Sequence, residues 1–175
     1  QGAQPRLLNL FGYTGLMSLA AAAAGAEVVH LDASPKSIGH GRENQSLSGL
    51  DDKPIRWICD DAMKFLDREI RRGRSYDAIV LDPPKFGRGP KNEIWRFEDE
   101  FSKLLARTRD LMSAKPLFII ATVYAVRLSY LAVAQSLGTA MAVHGGQVTC
   151  GEMAIRETGR GFLLPTGLYA RWTPN

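Results

Sequence analysis

The sequence is poor in the residues that staple or metallate small folds. It has two cysteines, Cys59 and Cys150, far apart and outside any CxxC spacing. This excludes a disulfide framework and a thiolate zinc site, and it fits a reducing cytoplasm. The three histidines, His30, His40 and His144, are scattered and read as structural or exposed, so no metal is expected. No apolar run approaches the roughly 20 residues that span a bilayer, and no signal-peptide pattern opens the chain. No membrane partner is therefore expected. The chain lacks GxxxxGK[ST], which rules out a P-loop, and lacks a full GxGxxG, which disfavours a nicotinamide dinucleotide. No Ser–His–Asp arrangement is legible, and no repeat, linker or low-complexity segment divides the sequence.

What is present suits one domain over residues 1–175, with 45% hydrophobic and 23% charged residues. A chain of this length buries roughly 70% of the surface its unfolded form exposes. It opens Gln1-Gly2-Ala3, without Met, and reads as a fragment that lacks a preceding part. The net charge of +4 is compatible with nucleic acid. The cations cluster as Arg68, Arg71, Arg72 and Arg74, and again as Lys85, Arg88, Lys91 and Arg96. The first cluster reads as a solvated face.

Apolar runs at residues 6–11, 27–31, 55–59, 76–81 and 117–122 read as strands, and near-continuous apolarity marks strands buried on both faces. Between them, helices are expected at 16–24, 34–48, 61–72 and 95–112, with another at 127–137. Gly25 and Gly49 serve as stops, and Ser34-Pro35 as a start. A polar, glycine-containing loop is expected between residue 85 and the fourth helix. The tail, 147–155 and 164–172 around a turn at 158–161, reads as a hairpin. Strand–helix alternation implies an α/β fold: a mostly parallel, Rossmann-like sheet of seven strands that ends in an antiparallel hairpin. In such folds ligands sit at the carboxyl ends of the strands.

Three of those ends share a pattern. After the first comes Gly12-Tyr13-Thr14-Gly15, where small residues let a ligand approach the backbone. After the second comes Asp32, followed by Ala33 and Ser34; a carboxylate there accepts hydrogen bonds from ribose hydroxyls. After the third comes Asp61-Ala62, where a carboxylate and the next N–H suit an adenine edge. Asp32 has the alternative of serving as a helix cap. Asp60 is expected to end its strand and point away. Asn9 is expected either to bond within the turn or to contact the ligand's amino acid end.

The fourth strand delivers Asp82-Pro83-Pro84-Lys85-Phe86. Two prolines fix φ and remove donors, so the turn can present a carbonyl beside the Asp82 carboxylate to planar N–H groups such as a nucleobase edge. Phe86 offers a stacking face, while Lys85 and Arg88 offer cations to phosphate.

The segments LLNLFGYTG, VVHLDASPKSIGHGREN, CDDAMKFL and YDAIVLDPPKFGRG together resemble the class I methyltransferases of large-subunit ribosomal RNA. The nearest group is that of the bacterial cytosine-5 and guanine-N7 enzymes. The resemblance covers roughly residues 6–125. It implies S-adenosylmethionine as cofactor and RNA as partner. It places Phe11 to Gly15 at the methionine and sulfonium end, Asp32 at the ribose, Asp61 and Ala62 at the adenine, and Asp82, Pro83 and Pro84 at the methyl and the target. The cytosine-5 members use a cysteine after strand five or in the proline motif. Here Lys85 follows the prolines, and strand five runs into Ala121-Thr122-Val123-Tyr124-Ala125. Carbon-5 chemistry needs covalent activation of the ring, so a nitrogen target is expected. Tyr124 becomes either a base-stacking residue or a core aromatic. The alternatives are methylation of a protein or small molecule, and an inactive cofactor-binding module.

Overall fold

A computed structural model describes residues 4–175 of the chain. The elements, in chain order, are β1 (Arg6–Leu10), α1 (Leu16–Ala23), β2 (Glu27–Asp32), α2 (Pro35–Leu47), β3 (Ile55–Cys59), α3 (Ala62–Arg71) and β4 (Ala78–Leu81). Then follow β5 (Phe86–Arg88), β6 (Ile94–Arg96), α4 (Phe97–Asp110), β7 (Phe118–Val123), α5 (Tyr130–Met141), β8 (Gln147–Arg156) and β9 (Leu163–Thr173).

Seven strands form one sheet in the order β3-β2-β1-β4-β7-β9-β8. Neighbours from β3 to β7 pair in parallel, and β9 pairs antiparallel with both β7 and β8. The chain moves outward from β1 to β3, then returns to lay β4 on the other side of β1. This reversal is the switch point at which loops diverge and leave a crevice.

Alternation along each strand divides the core. Leu7, Val28, Ala78 and Val80 pack with Ala22 and Ala26 on the α1 side. Leu8, Leu10, Val29, Leu31, Ile79 and Leu81 pack with Phe65 and Leu66 of α3, Leu104 and Leu105 of α4, and Leu137 of α5. The alanine-rich α1 allows close approach to the sheet, whereas the opposite layer takes larger side chains. Each fully buried Leu or Phe contributes about 1.5–3 kcal/mol. Trp172 in β9 is fully buried and donates from Nε1 to the Gly145 carbonyl at 2.8 Å; replacing it with Ala would cost about 3–5 kcal/mol. No helix among the described residues is long and apolar enough to cross a membrane.

Local chemistry explains where the helices begin. Ser34 Oγ accepts from the Ser37 N–H at 3.2 Å, with Pro35 in the first turn. Asp61 Oδ1 accepts from the Lys64 N–H at 2.9 Å and starts α3. Four elements depart from the sequence reading. The fourth strand begins at Ala78, because Tyr76 makes an isolated bridge to Met112 and donates its hydroxyl to Glu69. The expected polar loop after the prolines is a small antiparallel hairpin, β5–β6. Trp95 lies in that hairpin, so α4 starts at Phe97. The last helix starts at Tyr130, where Ser129 caps it by accepting from Leu131 N at 3.1 Å.

Candidate active site

The crevice at the switch point holds a cavity of about 460 Å³, within the range of small-molecule sites. Its wall draws on every parallel strand end. Phe11 and Tyr13 come from the end of β1, Leu31 to Ser34 from β2, and Asp60 to Ala62 from β3. Asp82 and Pro84 come from β4, and Tyr124 from β7. The β5–β6 hairpin adds Gly87, Arg88, Gly89 and Trp95.

The loop after β1 is held in a demanding shape. Phe11 and Tyr13 have φ of 58° and 49°, each costing about 1–3 kcal/mol in a non-glycine residue. Asp32 secures it: one carboxylate oxygen accepts the Tyr13 N–H at 2.9 Å, and the other accepts the Ser34 N–H at 2.9 Å. The Gly12 N–H donates to the Leu31 carbonyl at 3.0 Å.

Packing inside the protein also requires the two glycines. A Cβ on Gly12 would lie 2.3 Å from His30 Cε1, and one on Gly15 would lie 2.6 Å from Trp57 Cη2. The space they leave is filled by the protein's own aromatic rings. Beneath the loop, Asn9 Nδ2 donates to Ser18 Oγ at 2.9 Å, and Ser18 Oγ lies 2.8 Å from His30 Nδ1. Burial pushes His30 down to about 4, opposed in part by the Tyr13 backbone, and its Nε2 has no hydrogen-bond partner among the described residues. Asn9, 2% exposed, supports the turn from below and is absent from the cavity wall. Its side-chain partner, Ser18, lies in α1 and not in the turn itself.

On the β3 side, Asp61 caps α3 and lines the cavity. Asp60 also lines it, contrary to the expectation that it points away. One of its oxygens accepts the Asp61 N–H at 2.8 Å, and the other pairs with Arg68.

On the β4 side, Asp82 is half-buried. Among the described residues only Thr122 donates to its side chain, at 2.6 Å. Burial pushes the Asp82 carboxyl above its ordinary value, and the Thr122 hydroxyl opposes this in part. The prolines offer no N–H, so beyond the Asp82 N–H, which donates to the Leu10 carbonyl at 3.3 Å, the turn is tied through its carbonyls. Pro84 O accepts from Trp95 Nε1 at 2.6 Å, and Lys85 O accepts from the Phe97 N–H at 3.0 Å. Phe86 and Tyr124 are 54% and 47% exposed. Gly12, Thr14, Gly15, Pro83, Lys85 and Phe86 lie beside the cavity rather than in its wall, whereas Phe11, Tyr13, Asp32, Ala33, Ser34, Asp61, Ala62, Asp82, Arg88 and Tyr124 form part of it.

Trp95 and Thr122 escaped the sequence reading. Thr122 was accessible in principle, because β4 and β7 pair Leu81 with Ala121 and so set the next two residues side by side. Trp95 was hidden by its assignment to a helix.

A family model described as S-adenosylmethionine-dependent methyltransferase matches residues 1–129. The crystal structure of the SAM-dependent methyltransferase from Agrobacterium tumefaciens is 48% identical with a TM-score of 0.97, covering 100% of this chain and 57% of that one. Ribosomal RNA large subunit methyltransferase I from Aeromonas salmonicida is 43% identical over 82 residues. That match covers 46% of this chain and only 21% of the relative's length. Magnesium protoporphyrin IX methyltransferase from Synechocystis PCC 6803, solved with bound SAM, shares the fold at 15% identity and a TM-score of 0.65, covering 98% of this chain and 71% of that one.

Proposed function

We propose that this chain, which belongs to the S-adenosylmethionine-dependent methyltransferase family, is a catalytic domain that methylates a nitrogen of a base in RNA, with ribosomal RNA as its substrate in a reducing cytoplasm. The observation that carries this reading is the position of Asp82: a half-buried carboxylate with one hydroxyl partner, on the same cavity as Asp32 and Asp61. A buried carboxylate with so few donors favours a ligand that brings N–H groups.

The residues fit the cofactor. Asp32 offers a fixed carboxylate for ribose hydroxyls, and Asp61 with the Ala62 N–H offers an acceptor and a donor for adenine. Phe11 and Tyr13 flank the methionine end. When bound, the cofactor supplies a methyl group on a sulfonium that is itself a good leaving group. Asp82 accepts the N–H of the base edge and turns the nitrogen lone pair toward the cofactor half. It is also placed to take the proton that an amine sheds on methylation. Positioning of this kind is worth about 7–11 kcal/mol.

The cysteines support nitrogen over carbon. Cys59 lies at the end of β3, with its thiol 3.5 Å from the Ala33 carbonyl. Burial, and then the Asp32 and Asp60 carboxylates, push its thiol up, opposite to what a thiolate nucleophile needs. Cys150 lies in β8, opposite Ala170. RNA is supported by the relatives named for ribosomal RNA, by the exposed faces of Phe86 and Tyr124, and by Arg88 at the rim. A protein or small-molecule target has no comparable feature in its favour.

The test is Asp82→Ala. Methyl incorporation into ribosomal RNA should disappear, while affinity for S-adenosylhomocysteine stays within about threefold, because Asp82, although it borders the cofactor, is one of several contacts there and acts chiefly on the target. Full transfer activity in this variant would remove the mechanism.

A further inference from the structure

Trp95 touches both walls of the cavity. Its indole Nε1 donates to the Pro84 carbonyl at 2.6 Å, behind the turn that carries Asp82. Its ring packs against Phe11, centroids 5.0 Å apart, on the strained loop of the cofactor side. The hairpin holding it is fastened at its far end too. Glu93 pairs with Lys64 of α3 at 2.5 Å and accepts the Lys91 N–H at 2.8 Å. These contacts hold the Glu93 carboxyl down to about 2. Gly87 sits where a Cβ would lie 3.2 Å from Pro84 Cγ, so the hairpin is laid closely against the turn.

The turn needs this support. Prolines at 83 and 84 remove two donors through which a backbone normally anchors itself. What remains is a long bond from the Asp82 N–H to the Leu10 carbonyl at 3.3 Å and the carbonyls of Pro84 and Lys85, and Trp95 holds the first of these two carbonyls. A shift of about 1 Å in the turn would displace Asp82 from the target and cost on the order of 100-fold in rate.

We infer that Trp95 is a positioning residue: through its Pro84 hydrogen bond and its Phe11 contact, it sets the distance between the cofactor loop and the Asp82 turn. The inference rests on the methyl-transfer reading above and adds the element that aligns the two halves.

The two contacts are separable. Trp95→Phe keeps an aromatic ring for Phe11 and removes the donor, as does benzothienylalanine at position 95, which preserves the indole shape should the phenylalanine variant fold poorly. Trp95→Leu removes both contacts. For either ring-retaining variant, S-adenosylhomocysteine affinity should stay within about threefold, kcat on ribosomal RNA should fall about tenfold or more, and KM for RNA should hold within about threefold. Trp95→Leu should lose cofactor affinity as well. Full kcat without the indole donor would overturn the inference, as would a loss of cofactor affinity equal to that of Trp95→Leu.

A double-mutant cycle of Phe11→Leu and Trp95→Leu, read only by S-adenosylhomocysteine titration, separates this inference from the RNA reading. Coupling of about threefold or more supports the Trp95 bridge even if no RNA is methylated, and additivity contradicts it.

Discussion

The two sides of the cavity are built by opposite means. On the cofactor side, Asp32 has both oxygens engaged by backbone N–H groups at 2.9 Å, and Asp61 is fixed as a helix cap. These carboxylates shape the loops they belong to. On the target side, Asp82 has a single hydroxyl donor and a carboxyl that burial pushes up. The first side is fixed by the protein's own hydrogen bonds, whereas the second leaves a half-buried carboxylate with one donor.

That contrast is most sharply broken by exchanging the carboxylates for amides or alkyl groups. Asp82→Asn should lower methyl transfer by about 100-fold or more, the scale of removing a preorganised electrostatic contact. Its thermal midpoint at pH 7 should be no lower than the parent's. The sign follows from the shift. A folded value raised above the ordinary 3.8 contributes stability that is fully present below 3.8 and is lost as pH rises through the folded value. At neutral pH the ionised Asp82 is thus a cost, which calorimetry of the two proteins would reveal.

Asp32→Ala should act in the reverse sense. Two backbone N–H groups lose their acceptor, at about 1–3 kcal/mol each where burial prevents water from replacing it. S-adenosylhomocysteine affinity should drop about 10-fold or more, and urea unfolding should shift to a lower midpoint. Gly12→Ala should follow with a loss of about 1–3 kcal/mol in stability, because the new methyl meets the His30 ring at 2.3 Å.

A subtler distinction lies in pH. Transfer needs Asp82 ionised as an acceptor, so the acid limb of kcat/KM should lie above the usual carboxylate range, whereas cofactor binding should not follow that limb. The smallest effect belongs to Lys64→Ala. Its ion pair with Glu93 is solvent-exposed, so cofactor affinity should change less than about twofold at moderate salt.

The cofactor side was the more legible of the two in the sequence. Its carboxylates follow apolar strands directly, so reading the strands locates them, and Asp82 was found in the same way. What stayed hidden depends on contacts between distant residues. The strands of the β5–β6 hairpin are three residues each, too short for alternation to register, and Trp95 reads naturally as a helix start. Its partner Pro84 lies eleven positions earlier. The glycines at 12 and 15 were legible as special positions, but the reason was not: His30 and Trp57 come from other strands to fill the space beside them. Asp60 looked like a strand end facing away until Arg68, a helix turn and more along α3, fixed its direction.

The most direct test of the central claim is mass spectrometry of ribosomal RNA nucleosides from cells with and without the full-length gene. One nucleoside methylated on a base nitrogen should disappear while 5-methylcytidine is unchanged; loss of 5-methylcytidine, or an unaltered nucleoside profile, would contradict nitrogen methylation by this protein.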